Sequence, residues 1–174
     1  MKTKSTYTKA LLASITLITT TATFAKEIPL QVAIVKNSIG SNDILSGKFT
    51  SGISKLIDKN NPRISYDVNT GLCVAYLKTN KLDKAETSCT AAIKSIESSK
   101  VMNSLSDFHK SISYNNRAIS RYLNNNITGA IEDMKTASLL DNNDIVKKNT
   151  DLLMAKISSS EDIDFIAKDT TASE

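Results

Sequence analysis

Residues 72–92 have the sequence LCVAYLKTNKLDKAETSCTAA, in which two apolar stripes flank a short polar turn at Asn80. On both sides of the turn, apolar side chains recur at the spacing of one face of an α-helix. Asn61 and Pro62 suit the N-cap and first position of the helix before the turn. The stripes comprise Ile64, Val68, Leu72, Tyr76 and Leu77, and then Leu82, Ala85, Cys89, Ala92, Ile93 and Ile96. The segment predicts two helices joined by a tight turn.

The same turn-then-helix pattern occurs three times in the chain. It reads GKFTSGI at 47–53, NKLDKAE at 80–86 and NNITGAI at 125–131, with a small residue at Gly52, Ala85 and Ala130. Since these small residues are 33 and then 45 positions apart, we infer a helical-hairpin repeat with an insertion of about eleven residues. The insertion is expected within the polar run from Ser98 to Ser111.

Amphipathic stripes also surround the last turn and follow it. They comprise Leu105, Phe108, Ile112, Ile119 and Tyr122, then Ile127, Ala130, Ile131, Met134 and Ala137, and finally Ile145, Leu152, Leu153 and Ile157. The third group predicts a terminal helix after the polar break at Asp141. Each helix is polar on its other face, so a single hairpin cannot bury its stripe and the pairs are expected to stack.

Composition supports the same architecture. The chain has 174 residues, enough for about one domain, with 40% hydrophobic and 23% charged residues. Five glycines, two prolines, no tryptophan and 5% aromatic residues disfavour a sandwich or barrel. The predicted class is all-α.

These residues resemble the tetratricopeptide repeat (TPR), a helical-hairpin repeat with small residues at fixed positions. One unit has Leu72, Cys73 and Tyr76 followed by Ala85, Cys89 and Ala92; the other has Tyr114–Ala118 followed by Ala130, Met134 and Ala137. Three positions depart from the usual pattern of the family: Arg121 replaces an aromatic residue, Cys89 replaces a large residue, and Asn142 replaces a proline. The resemblance implies a short right-handed array of antiparallel hairpins over residues 47–157. Outside the repeats we expect an extended N-terminal arm over 26–46, and at the end of the array a C-terminal capping helix.

The resemblance also implies a function, namely protein or peptide binding in a concave groove lined by the first helix of each hairpin. The corresponding positions are Thr70, Val74, Leu77, Lys78, Asn115, Asn116, Ile119, Tyr122 and Leu123. The alternative for Val74, Ile119 and Leu123 is packing against the neighbouring hairpin. Members that bind carboxyl-terminal peptides carry a lysine that is missing at Thr70 and Asn115, which argues against that ligand type.

Cys73 and Cys89 are the two cysteines of the chain. In the repeat that the sequence resembles, their positions lie on facing sides of paired helices, close enough for a disulfide. We expect a structural disulfide, with two buried thiols and a redox-active pair as the alternatives. The pair lacks the Cys-x-x-Cys spacing of thiol-exchange catalysts.

Residues 1–25 have the pattern of a secretory leader, with Lys2, Lys4 and Lys9 before an apolar run and small residues at Thr23 and Ala25. We therefore expect a periplasmic or secreted protein with no integral membrane segment after leader cleavage. Without those three lysines, 19 basic and 18 acidic residues remain, which argues against a nucleic-acid partner. The acidic tail over 158–174 is expected to be partly disordered.

No catalytic constellation emerges from the sequence. The single histidine, His109, has no paired histidine or serine motif and is interpreted as solvated. Glu132 and Asp133 are adjacent, so they point in different directions from a solvated helix face. Residues 141–152 lack the glycine and the last acid of a calcium loop. We expect no enzyme activity, metal or cofactor; the alternative is a periplasmic enzyme or redox accessory protein.

The segment before the first turn alternates apolar and polar residues at Ile28, Leu30, Val32 and Ile34. Alternation of this kind predicts an extended arm that covers an open end of the array or adds to a partner. About three hairpins are usually needed for a continuous core, so self-association through an uncapped hairpin is a further hypothesis.

Overall fold

The computed structural model of the protein describes residues 29–58, 66–98 and 104–159. Helices account for 78% of these residues and none of them forms a strand, so the all-α prediction is confirmed for this part of the chain. The helices are α1 (Ser41–Leu45), α2 (Phe49–Leu56), α3 (Tyr66–Lys78), α4 (Leu82–Ser98), α5 (Ser104–Leu123), α6 (Ile127–Leu140) and α7 (Asp144–Ser159). The leader over 1–25, the N-cap at Asn61 and Pro62, and the tail after residue 159 lie outside the described residues.

Three equivalent turns reverse the chain between paired helices. Gly47, Asn80 and Asn125 adopt positive φ angles of 77°, 55° and 61°. In each turn the following N–H donates to the carbonyl five residues earlier, from Lys48 to Asp43, from Lys81 to Tyr76 and from Asn126 to Arg121, at 2.8, 2.9 and 2.8 Å. This helix ending needs a left-handed residue, which favours glycine or asparagine. The turns lie at the three sequence motifs.

Each helix packs against the next one in the chain, and the odd-numbered helices also form a row. In that row α1 contacts α3, α3 contacts α5, and α5 contacts α7; we call these four the inner helices. Small residues mark the closest packing, because Ala75, Ala85, Ala118, Ala130 and Ala137 are all fully buried. A side chain of this size lets helix backbones approach each other closely.

The inserted residues before the last hairpin are partly helical. Helix α5 is 20 residues long and begins at Ser104, inside the predicted insertion. Leu105 and Phe108, which the apolar periodicity placed on the core-facing stripe, are exposed, at 59% and 37%. Burial of that stripe begins at Ile112. Periodicity identified the amphipathic face correctly but did not show that Leu105 and Phe108, in the first two turns of the helix, remain exposed.

Cys73 of α3 and Cys89 of α4 form a disulfide, with their Cα atoms 5.0 Å apart. Both residues are almost completely buried, at 1% and 0% exposure. The bond joins the two helices of one hairpin across their contact face. It lies in an apolar cluster with Leu77, Ala85 and Ile119. The expected pairing of the two cysteines is therefore present.

The predicted arm over residues 26–46 includes a helix, and its first three residues lie outside the described residues. Residues 29–35, which we call the arm, have neither helix nor strand assigned; the chain then turns through 36–40 and forms α1. Helix α1, which packs on α2 and α3, was not predicted from the sequence. None of the helices in the described ranges combines the length and hydrophobicity that a membrane-spanning helix requires.

Candidate binding groove on the inner helices

The arm lies across the inner helices and is held there through its backbone. Asn149 of α7 accepts a hydrogen bond from the Gln31 N–H at 2.8 Å and donates one to the Gln31 carbonyl at 2.6 Å. Asn116 of α5 makes the same pair with Ala33, at 3.2 and 2.8 Å. A carboxamide offers one acceptor and two donors, so each asparagine engages the arm as the peptide group of a neighbouring strand would.

The asparagines also bond to one another. Asn149 donates to Asn115 Oδ1 at 2.7 Å, and Asn115 donates to Asn116 Oδ1 at 3.2 Å and to the Gln31 carbonyl at 3.2 Å. All three residues are 0% exposed. Because an unpaired buried amide costs about 1–3 kcal/mol, these asparagines are stable inside the protein only while the arm and the network satisfy them.

Apolar side chains of the arm pack on the helices beneath it. Leu30 packs on the cluster around Met134 and Leu153 and on the cluster around the disulfide. Val32 packs on the disulfide cluster too, and both Val32 and Ile34 pack on the cluster that contains Ile44, Leu56 and Val74. The arm therefore links the three apolar clusters of the described structure.

Most of the predicted groove positions surround the arm. Asn115 and Asn116 bind its backbone, and Val74, Leu77 and Ile119 are buried in the clusters on which it packs. Tyr122 is half-buried, and Lys78 and Leu123 are exposed beside the arm. Thr70 is different: it is 1% exposed and lines neither of the two cavities that flank the arm.

Two cavities flank the arm. One, of about 250 Å³, is lined by Pro29, Leu30, Val32, Leu77, Lys78, Ile119, Tyr122, Leu123 and Lys156. The other, of about 560 Å³, is lined by the arm from Pro29 to Val32, Ile34, Ile44, Leu45, Gly47, Phe49, Val74, Lys78 and Ile145. Both linings are mostly aliphatic, as in typical ligand sites.

Sequence reasoning missed Asn149 and Gln31. The signal for Asn149 was present, because Val146, Asn149, Leu153 and Ile157 are three or four residues apart and all four are buried. An asparagine inside an apolar stripe at helical spacing needs a polar partner in the core. The partner could not be identified, since Gln31 is 118 residues away.

A charged cluster joins α4, α5 and α6. Arg117 donates to both carboxylate oxygens of Asp133, at 2.8 and 2.7 Å. Arg121 lies 3.0 Å from Asp133 and 2.7 Å from Glu86. Burial alone would lower the pKa of Arg117, but the hydrogen bond and charge of Asp133 outweigh it and raise the pKa. The interpretation of Asp133 as solvated is wrong: its residue exposure is 3%, while its neighbour Glu132 is exposed.

His109 is also less solvated than expected. Its ring stacks on Tyr66 with centroids 4.6 Å apart, and the Tyr66 hydroxyl donates to the His109 carbonyl at 3.3 Å. Burial lowers the pKa of His109, partly offset by the charge of Asp67. Burial likewise raises the pKa of Tyr66. The histidine therefore contributes to helix packing as a half-buried aromatic ring.

In the described part of the chain, no group of three or more histidine, cysteine or acidic side chains is arranged to hold a metal ion. Comparisons with protein-family models, with curated proteins and with solved structures found no significant match to this chain.

Proposed function

We propose that this chain is an exported, TPR-like scaffold whose inner helices bind an extended polypeptide of a protein partner. In this proposal the three hairpins form a right-handed array, α7 caps it, and the protein carries no chemistry of its own. One observation carries the proposal: Asn149 and Asn116 each make a two-bond contact with the backbone of an extended segment.

The kind of contact supports polypeptide binding. Backbone groups are common to all sequences, so asparagine pairs fix the path and register of an extended chain without selecting its side chains. Selectivity then comes from the aliphatic clusters under Leu30, Val32 and Ile34, which accept an apolar side chain at every second position. A chain with alternating apolar residues is the ligand class that fits both features.

The state of the reactive groups supports a binding role over the enzyme or redox alternative. Cys73 and Cys89 are paired and almost fully buried, whereas cysteines that exchange disulfides are partly accessible. Asp133 and Glu86 are engaged by arginines, and His109 is stacked on Tyr66. The disulfide is also consistent with the oxidising compartment that the predicted leader implies.

Binding in the groove can be tested with the arm as its own probe. The probe is a fluorescent peptide with the sequence of residues 29–36, PLQVAIVK. The receptor is the full chain carrying Gln31→Pro and Ala33→Pro, the double-proline variant. Proline has no N–H, so both donors to Asn149 and Asn116 are lost while an extended conformation remains allowed. The arm of the unmodified chain competes at an effective concentration of the order of millimolar.

We expect saturable binding to the double-proline variant, at least about tenfold tighter than to the unmodified chain. Adding Asn149→Ala to the double-proline variant should abolish it, because the probe then loses two backbone bonds. A double-proline variant that retains its helical circular dichroism and binds no probe contradicts the proposed function.

A further inference from the structure

We propose that the bound arm offers a second binding edge, on which an extended segment of the partner pairs strand to strand and fills the cavity of about 250 Å³ beside it. This inference rests on the proposed function and makes it more specific. The partner segment carries bulky apolar residues at alternate positions and an acidic residue opposite Lys78.

The backbone of the arm has one engaged edge and one open edge. In an extended chain, the N–H and C=O groups of successive residues point to opposite edges. Gln31 and Ala33 both bond to asparagines, so their groups share one edge. The groups of Leu30, Val32 and Ile34 face the other edge, and they have no hydrogen-bond partner among the residues that the structure describes.

The order of residues along α5 places the cavity at this open edge. The arm bonds to Asn115 and Asn116, while the cavity is lined by Ile119, Tyr122 and Leu123, one to two turns further along the same helix. The last residues of α3 also line it. The arm thus crosses α5 with the asparagines on one side and the cavity on the other.

The lining of the cavity specifies the partner. Leu77 and Ile119 form an apolar floor, and Tyr122 adds an aromatic wall. Leu123 and Lys78 are exposed at the rim, so the cavity can be reached from solvent. No ion pair joins Lys78 to another described residue, which leaves its ammonium group available for a carboxylate.

A strand edge with unpaired donors and acceptors is a template for another strand, and many peptide-binding domains use it in this way. A strand paired with the arm would project alternate side chains into the cavity, as the arm itself projects Leu30 and Val32 onto the helices. A second copy of this chain fits less well, because its own Leu30 and Val32 side chains are already packed on its own helices.

The test uses the full, unmodified chain and a fluorescent eight-residue probe peptide in which valine alternates with threonine after a first glutamate. Two further peptides are N-methylated at every second amide, one at the odd-numbered and the other at the even-numbered positions. Each pattern removes the N–H donors from one edge of the extended peptide. We expect saturable binding of the parent peptide, retained affinity for one methylated peptide and a loss of at least about tenfold for the other. Equal affinities of the two methylated peptides would overturn strand pairing.

Two matched protein variants locate the site. Leu123→Asp places a charge on the rim of the cavity and should weaken binding at least about tenfold. Leu139→Asp makes the same change at an exposed leucine of α6, outside the lining, and should leave the affinity unchanged. Lys78→Glu should weaken binding of the probe but not of a probe whose glutamate is replaced by lysine. Equal effects at positions 123 and 139 would overturn the location.

The double-proline variant separates failure of this inference from failure of the proposed function. If the valine–threonine probe binds the double-proline variant but not the unmodified chain, the groove takes a polypeptide only in place of the arm. The proposed function then stands and the second edge is rejected. If the probe binds neither protein, the second edge and the proposed function are both rejected. A third outcome is a dimer in light scattering that Leu123→Asp abolishes, together with no binding of the peptide. That outcome would assign the edge to a second copy of this chain and overturn the choice of partner.

Discussion

Asn149 binds Gln31 through both backbone groups, with a 2.8 Å bond from the Gln31 N–H and a 2.6 Å bond to its carbonyl oxygen, although 118 residues separate the two. The contact fixes the N-terminal arm to the last described helix. We therefore expect the stability of the arm to depend on α7.

Asn149→Asp tests this coupling. The substitution keeps the shape of the side chain but removes both donors, so the carboxylate oxygen in place of Nδ2 faces the Gln31 carbonyl and Asn115 Oδ1. The other carboxylate oxygen still accepts from the Gln31 N–H. We expect a loss of about 3 kcal/mol in the free energy of unfolding, in the range for a buried polar group without partners. Urea denaturation measures the loss, and hydrogen exchange should become faster at residues 31 and 33.

The matched control is Asn142→Asp, the same change at an exposed asparagine just before α7. Its effect should stay within about 0.5 kcal/mol, as is usual for surface substitutions. If Asn149→Asp left exchange at the arm unaltered, the arm would not depend on α7.

The sequence was sufficient to predict the helical hairpins because the determining signals are local. Gly47, Asn80 and Asn125 mark the left-handed turns, and the stripe of each helix has a spacing that no strand could use. Asn115 and Asn116 were reached through the resemblance to a repeat, and the structure places both in contact with the arm.

Contacts between distant residues could not be read in this way. The alternation at Leu30 and Val32 predicted an extended segment but not the surface that receives it, since that depends on how four separate helices stack. Asp133 looked like a surface acid because its partners, Arg117 and Arg121, lie on another helix. Arg121 stands where the repeat usually has an aromatic residue, and its charge is paired with Asp133 and Glu86.

Asp133→Asn tests the charged cluster. The carboxylate accepts a two-bond contact from Arg117 and lies 3.0 Å from Arg121. Loss of the negative charge leaves Arg117 with a neutral amide oxygen in place of its carboxylate partner, while Arg121 keeps its ion pair with Glu86. We expect a loss of about 3 kcal/mol in the free energy of unfolding, near the lower end for breaking a buried ion pair. The neighbouring exposed change Glu132→Gln should cost less than about 0.5 kcal/mol; similar losses for both would contradict the buried role of Asp133.

The disulfide between Cys73 and Cys89 should stabilise one hairpin measurably. It joins residues 16 positions apart, for which loop entropy gives about 3 kcal/mol. The double variant Cys73→Ala, Cys89→Ala should lose about that free energy of unfolding in urea denaturation. Reductant should lower the denaturation midpoint of the parent chain and leave that of the double variant unchanged. The purified parent should show no free thiol in denaturant without reductant, and recovery of both thiols would exclude the bond.

His109 should make stability depend on pH below neutrality. Burial against Tyr66 lowers its pKa in the folded state below the ordinary 6.5, while the charge of Asp67 opposes the shift. The unfolded chain therefore takes up the proton at a higher pH than the folded chain, and stability falls as the pH drops through the interval just below 6.5. Denaturant midpoints at pH about 7.5 and about 5.5 should differ more for the parent than for His109→Gln, which does not titrate. Asp67→Asn removes the opposing charge and should increase the difference; an unchanged slope in His109→Gln would assign the pH dependence to other groups.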